Sequence, residues 1–269
     1  MSSESLVSVL MGAYNCAPTL GASIESILLQ DHRNLELLVC DDGSSDGTAA
    51  VIADWAGRDG RVRALGNERN RGLAYTLNRC IAAAGGAYLA RMDGDDLAHS
   101  DRFSKQLAFL EAHPELGFCG SSIRLFDEGG VWGEVAYAEK VEARNFLFGN
   151  PFAHPTIMFR ASCLRGTGGY DEDPKVGRSE DYALFMDLQA SGLRGGNLTE
   201  PLLDYREDRT GYRKRRFRFA LCEARVRARG YRKLGLLPTG LPFILKPILL
   251  GLLPKALYLR LRRSLHGKS

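Results

Sequence analysis

Apolar runs and helix-period segments alternate along the first part of this chain, and that alternation leaves few folds open. The run LVSVLM (residues 6–11) reads as a buried strand, and PTLGASIESILLQ after it as a helix with Ile24, Ile27 and Leu28 on one face. LELLVC (residues 35–40) predicts a second strand, followed by a helix over residues 48–55 with Ser45 or Asp46 as its cap. RVRAL is a short third strand, RGLAYTLNRCIAAAGG a helix closed by glycines, and AYLARM the next strand. SDRFSKQLAFLEAHPELG is again a helix, with Ser100 as the expected cap. About 115 residues of this pattern predict an α/β fold: a Rossmann-like, mostly parallel sheet flanked by helices. Ligands of such sheets bind beyond the carboxyl ends of the strands. Tyr14, Asp41, Asp42 and the run from Asp93 to Asp96 all fall there.

The second half is less regular. GFCGSSIRLF predicts a strand, VEARNFLFGN a short helix, HPTIMFR a strand and SEDYALFMDLQASG a helix. No internal repeat or low-complexity linker interrupts it. The last stretch, LGLLPTGLPFILKPILLGLLPKALYLRLRR, is rich in leucine but broken by Pro238, Pro242, Pro247, Pro254 and Lys246. A membrane-spanning helix needs about 20 uninterrupted apolar residues. Short broken helices at a bilayer surface, with arginines facing headgroups, are expected instead. The plainer alternative is a helix packed on its own domain or on a partner subunit.

Charge supports a division at the same place. From residue 205 onward the chain holds 18 Lys and Arg against 3 Asp and Glu, whereas the first 204 residues hold 18 against 29. An acidic body with a basic tail suggests an anionic partner for the tail. The six cysteines form no CxxC pair, which favours buried thiols in a reducing compartment over disulfides or zinc. The N-terminus MSSESLVSVL has no basic start and no cleavable apolar stretch, so a cytoplasmic protein is expected.

Five constellations can carry chemistry. Asp93, Asp95 and Asp96 crowd one strand end, where like charges repel unless a cation joins them; Mg²⁺ or Mn²⁺ prefers such oxygen ligands and often bridges them to phosphates. The same residues also suit a solvated turn. Asp41 and Asp42 in CDDGSSDGT can accept hydrogen bonds from a ribose or a uracil N–H, although part of that segment is an ordinary cap. Tyr14 can stack on a base, or be a core tyrosine. Arg71 and Gly72 precede a helix that favours an anion, or form a simple turn. Glu180 and Asp181 open an amphipathic helix, where acids complement the helix dipole, or where one serves as a general base.

Each feature has a bland explanation, but their order is specific. VSVLMGAYN, LLVCDDGSSDGT, NRGLAYTLNRCI, GAYLARMDGDD, HPTIMFR, GGYDE and SEDYALFMDL resemble, in sequence order, the landmarks of the family 2 glycosyltransferases and their GT-A fold. The resemblance covers residues 5–206. It implies that Tyr14 stacks on the uracil of a UDP-sugar, that Asp42, with Asp41 beside it, contacts base or ribose, and that Asp93 lies on the nucleotide side of the metal motif. Asp95 would ligate the Mg²⁺ or Mn²⁺ on the diphosphate. Asp181 would be the catalytic base of an inverting transfer, with Glu180 beside it. A catalytic domain over 1–206 follows, with a nucleotide-binding half (1–115) and an acceptor-binding half (116–206), then a basic, helical extension over 207–269. The implied acceptor is a saccharide or a polyprenyl-diphosphate-linked saccharide, with the extension on the inner face of an anionic membrane.

Two departures from the family pattern stand out. Gly12 replaces a frequent proline. DYREDRTGYRKRR keeps Tyr205 and Arg206 but lacks the loop histidine, which leaves Arg209 or Arg213 to cover the diphosphate. A nucleotidyltransferase would need a basic phosphate loop after the first strand, which MGAYNCAPTL lacks. A non-catalytic module anchored by the tail is the other alternative. The acidic body needs no nucleic-acid partner.

Overall fold

The computed structural model describes residues 5–208 and 217–252. Four strands, β1 (Val7–Ala13), β2 (Leu35–Asp41), β3 (Val62–Gly66) and β4 (Tyr88–Asp93), alternate with α1 (Ala17–Leu28), α2 (Thr48–Arg58) and α3 (Leu73–Ala83). They are followed by β5 (Leu97–Ala98), α4 (Arg102–Ala112), the long β6 (Leu116–Asp127) and β7 (Gly130–Val135). Two 3-10 turns, Ala143–Leu147 and His154–Thr156, lead to β8 (Met158–Arg160) and α5 (Ala161–Arg165). Then come α6 (Glu180–Ala190), β9 (Arg194–Arg206), α7 (Phe217–Lys233) and α8 (Leu237–Leu252).

All nine strands form one sheet in the order β3-β2-β1-β4-β8-β6-β9-β5, with β7 paired to the C-terminal part of β6, beyond its contact with β8. The first four strands are parallel; β8 is antiparallel to both β4 and β6, so β6 and its parallel neighbour β9 regain the first direction. Six of the nine strands therefore end at the same edge. The order reverses at β1, which pairs with β2 on one side and β4 on the other. A crevice opens at such a reversal. The register puts Asp41 opposite Ala13, and Asp93 opposite Gly12, at its floor.

Both sheet faces are covered, which explains why the early strands read as unbroken apolar runs. Val9 and Met11 pack with Leu20, Ile24 and Ile27 of α1, while Leu10 between them joins the opposite layer with Phe118, Phe159 and Phe185. The Phe118 ring contacts those of Phe152, Phe159 and Phe185, with centroids 4.9, 5.4 and 5.5 Å away.

Several local expectations change. Ser100 does not cap α4: Asp101 holds that position without a side-chain cap bond, and Ser100 lends only its carbonyl to the Asp31 N–H. The first three residues of HPTIMFR form a 3-10 turn, leaving the last three for β8, because Pro155 cannot donate to the sheet. β9 escapes a periodicity reading because RGGNLTEPLLDYR has two glycines and a proline, and its register with β6 shifts.

The basic extension begins as part of the body. Tyr231 and Val226 of α7 belong to the same apolar layer as Phe185, and Gly230 lies so close to Met186 that a Cβ would sit 2.2 Å from its sulfur. Arg229 pairs with Asp171 at 2.6 Å and Lys233 with Asp187 at 2.8 Å, so some of the basic excess neutralises acids of the body. Instead of broken pieces, α8 is one helix with Pro242 and Pro247 inside it. Packing sustains it: Gly240 rests on Tyr231, and Phe243 meets Phe148 edge-on at 5.4 Å. Among the described residues no helix is long and apolar enough to cross a membrane.

The Tyr231 hydroxyl accepts a hydrogen bond from Arg227 at 2.7 Å and donates to the Phe146 carbonyl at 3.1 Å. Tyr231→Phe should lower the free energy of unfolding by about 1–2 kcal/mol, measured by urea titration, because it strands buried polar partners. A loss near zero would mean that α7 is not part of the cooperative core.

Candidate functional site

The first wall of the crevice is two loops laced together. The Asp42 N–H donates to the Ala13 carbonyl at 2.8 Å, the Asn15 N–H to Ser44 Oγ at 3.0 Å, and the Ser45 N–H to Asn15 Oδ1 at 2.9 Å. Asn15 takes a left-handed conformation (φ 49°), which asparagine tolerates and which turns the chain sharply after Tyr14. Tyr14 is left 49% exposed at the rim. Asp41 and Asp42, adjacent in sequence, differ in environment. Asp41 Oδ1 accepts the Ser44 hydroxyl at 2.5 Å and its N–H at 3.1 Å, and the side chain is half-buried. Asp42 is buried, and its oxygens accept Asn67 Nδ2 at 2.7 Å and the Arg71 and Gly72 N–H groups at 2.8 Å each. Asp42 thus shapes the loop before α3, and Asp41 is the better placed of the two to meet a ligand. Arg71 stacks its guanidinium 4.1 Å from the centre of the Tyr75 ring.

The acidic knot follows β4. Ligand oxygens of Asp93, Asp95 and Asp96 lie within 4.8 Å of one another. Thr19 Oγ1 donates to the Gly94 carbonyl at 2.9 Å and Ser23 Oγ to the Asp96 carbonyl at 2.7 Å, so α1 grips the turn from one side. From the other side Arg206, ending β9, donates its N–H to Asp96 Oδ1 at 2.8 Å and its Nε to the Asp95 carbonyl at 3.1 Å. A Cβ on Gly94 would come within 3.1 Å of Cys16 Sγ, so the acidic turn abuts the Tyr14 loop. Arg91 lies buried below and meets Asp93 Oδ2 at 2.5 Å. Burial and the Asp93 charge hold the Asp95 and Asp96 carboxyls above their usual range, Asp96 well above. Asp96 Oδ2 is buried and has no hydrogen-bond partner among the described residues.

Opposite the knot, a cavity of about 410 Å³ is lined by Asp93, Asn150, Arg178, Glu180, Asp181 and Tyr205. Its apolar wall comes from Ile123 and Leu125 of β6 and Val135 of β7, with Tyr137 beyond. Ser179 begins α6 without a side-chain cap, so Glu180 and Asp181 occupy the helix's positive end. Burial, reinforced by Asp181, pushes Glu180 up to about 7. Burial also raises Asp181, opposed by the Tyr182 N–H at 2.7 Å on Oδ1 and by Asn150 Nδ2 at 2.8 Å on Oδ2. A carboxyl poised near neutrality beside a fixed carboxylate is suited to proton transfer.

The structure therefore brings Asp93, Glu180 and Asp181 into one cavity and sets Asp95 and Asp96 beside it. Tyr14, Asp41 and Arg71 lie along the same sheet edge, outside the lining of that cavity. Arg209 and Arg213 lie outside the described residues. Sequence reasoning missed Arg91, Asn150 and Tyr137. An arginine inside the buried strand AYLARM was the one available signal; the other two sit in irregular segments.

The profile of Glycosyl transferase family 2 matches residues 8–167. The chain is 39% identical over 265 residues to the putative glycosyltransferase EpsE of Bacillus subtilis (strain 168), covering 98% of this chain and 95% of that one. It is 28% identical over 192 residues to an Escherichia coli protein, the UDP-Glc:alpha-D-GlcNAc-diphosphoundecaprenol beta-1,3-glucosyltransferase WfaP, covering 71% and 73%. Among solved structures, S. aureus TarS 1–349 in complex with UDP superposes with a TM-score of 0.70 at 17% identity, covering 93% of this chain and 76% of that one. That likeness establishes the GT-A fold.

Glu180 supplies a pH test. Its folded pKa lies above the ordinary 4.5, so the folded protein holds that proton more tightly than the unfolded chain does. Ionisation therefore costs stability as pH rises from the ordinary value towards 7. Glu180→Gln should melt higher than wild type at about pH 8, with the gap closing as pH falls below the ordinary carboxylate range. Equal melting temperatures at both ends would show that Glu180 ionises freely.

Proposed function

The chain belongs to glycosyltransferase family 2, and on that premise we propose that it transfers a sugar from a nucleotide donor, a UDP-sugar, to a saccharide or polyprenyl-diphosphate-linked acceptor with inversion, in the synthesis of a surface polysaccharide or glycolipid. The carrying observation is the confrontation of the Asp93–Asp96 knot with the Glu180–Asp181 pair at the edge where Tyr14 and Asp41 project.

In this reading Tyr14 stacks on the base, and Asp41 accepts from base or ribose, with Asp42 holding the loop that carries Arg71. Asp95 and Asp93, joined by the Asp96 oxygen that has no partner among the described residues, fit Mg²⁺ or Mn²⁺: three hard carboxylates close together, with Asp95 and Asp96 raised in pKa by burial and by the Asp93 charge. Such an ion, when bound, offsets the charge of the diphosphate and of the departing nucleoside diphosphate. The acceptor lies against the β6–β7 wall. Asp181 takes the proton of its hydroxyl, and the freed oxygen attacks the anomeric carbon from the face opposite the diphosphate. The new C–O bond forms as the bond to the diphosphate breaks, which inverts the centre. Glu180 supports the same proton transfer. A nucleotidyltransferase is disfavoured because the loop after β1 carries no lysine or arginine, and it would release pyrophosphate instead.

The extension supports a cytoplasmic enzyme resting on an anionic membrane. Leu241, Leu245 and Leu249 form a stripe along α8, each between 53% and 60% exposed, and Phe148 beside that helix is 70% exposed. Because α8 also buries Gly240 and packs Phe243 inward, it is apolar on both sides, which a helix facing water does not favour. Arg218, Arg225 and Arg232, seven residues apart on the exposed side of α7, suit anionic headgroups. WfaP, by its name, uses an acceptor on diphosphoundecaprenol.

Asp181→Asn and Asp95→Asn should each reduce metal-dependent transfer by about 10²–10⁴-fold without lowering the melting temperature. Full turnover in both would remove this mechanism. Co-sedimentation with phosphatidylglycerol vesicles should exceed that with neutral vesicles and fall when Leu241, Leu245 and Leu249 are all changed to serine. Equal recovery with both vesicle types, or none with either, would argue against the anionic surface.

A further inference from the structure

Asp181 does not hold its orientation by itself. Its Oδ1 accepts from the N–H of the next residue, Tyr182, at 2.7 Å, and its Oδ2 meets Asn150 Nδ2 at 2.8 Å. Asn150 comes from an irregular segment 31 positions away in sequence. We infer that Asn150 is the positioning residue of the reaction: it pins one oxygen of Asp181 so that the carboxylate presents a fixed lone pair to the acceptor hydroxyl. This rests on the reading of Asp181 as the base.

Three observations carry the assignment. First, the amide is oriented by its own partners. Asn150 Oδ1 accepts the Phe152 N–H at 3.3 Å, which leaves only the NH₂ group to face Asp181. Second, the segment is anchored on both sides of Asn150. Upstream, the Phe146 carbonyl accepts the Tyr182 and Tyr231 hydroxyls, and Arg227 Nη1 reaches the Leu147 carbonyl at 3.3 Å. Downstream, the Pro151 carbonyl accepts Asn197 Nδ2 at 3.2 Å, and the Phe152 ring is buried against Phe118 and Phe185. Third, Asn150 lines the same cavity as Asp181 and Glu180, within reach of the reacting groups.

The anchoring also explains why α7 belongs to the body. Tyr231 and Arg227 lie on that helix, and Tyr182 follows Asp181 on α6. The base and the residue that orients it are thus tied to one pair of packed helices, and the basic extension contributes to the active site through its first helix. Other charged or titratable groups around Asp181 are Glu180 on the same helix, Arg91 below, and Tyr137 and Tyr170. None of these four donates a hydrogen bond to it, and the side-chain anchor among the described residues is Asn150.

The test uses the full chain and two variants. Asn150→Ala removes the amide; Asn150→Asp keeps its shape and its acceptor for Phe152 but removes the donor. Both should lower kcat by about 10–100-fold while KM for the nucleotide sugar changes by less than about 3-fold, because the donor end of the site is untouched. The aspartate variant should lose at least as much as the alanine variant, and calorimetry should show wild-type binding of the nucleotide. Wild-type kcat in Asn150→Asp would overturn the inference while leaving Asp181 as the base if Asp181→Asn is inactive. A matching rise in KM with little change in kcat would overturn it too, by making Asn150 a binding residue. Full turnover in Asp181→Asn would instead bring down the underlying reading.

Discussion

The interaction on which the rest depends is the buried ion pair of Arg91 with Asp93. Five carboxylates, Asp93, Asp95, Asp96, Glu180 and Asp181, converge on one end of the sheet, and the Arg91 charge acts on all of them. Burial alone would lower the Arg91 pKa, yet Asp93 and the surrounding acids keep it raised, so the guanidinium stays charged. It partly neutralises a cluster that would otherwise repel itself apart, and leaves Glu180 near 7. A buried charge of this kind is costly unless closely paired, which ties the arrangement of the site to its electrostatics. Arg102 beneath supports it by donating to the Arg91 carbonyl at 2.9 Å.

Topology makes that pair useful. Arg91 and Asp93 lie two residues apart on one face of β4, the strand next to the reversal at β1. The reversal opens a crevice on the β1–β2 side, and the antiparallel β8 carries the sheet across to β6 and β9, which line the cavity of Glu180 and Asp181. β9 then returns its end, Arg206, to the acidic turn at 2.8 Å. The two halves are therefore parts of one sheet joined at the knot itself, which suits a reaction in which a donor and an acceptor must meet within bonding distance.

Much of this was legible in the order of residues. Strand and helix alternate in the nucleotide half because both faces of β1, β2 and β4 are buried and turns must intervene; such runs and breaks survive in any single sequence. The paired acids, Tyr14 and the Glu180–Asp181 pair lie at ends of regular elements, where position follows from local pattern. The different surroundings of Asp41 and Asp42 were not legible. They are neighbours of the same type, and the loop of Asn67, Arg71 and Gly72 folds onto Asp42 alone. The single continuous α8 was hidden for a similar reason, since contacts with Tyr231 and Phe148 outweigh its internal prolines.

By itself the sequence determined the class of fold, the alternating strands and helices of its first half and which residues have the chemistry to hold a metal or take a proton, because periodicity and side-chain chemistry are local properties. Only the tertiary structure decided which of those groups share a cavity, that Asn150 reaches Asp181, and that α7 is built into the catalytic body. Those facts depend on contacts between residues 31 to 111 positions apart, and no local pattern encodes the register of chain segments so widely separated.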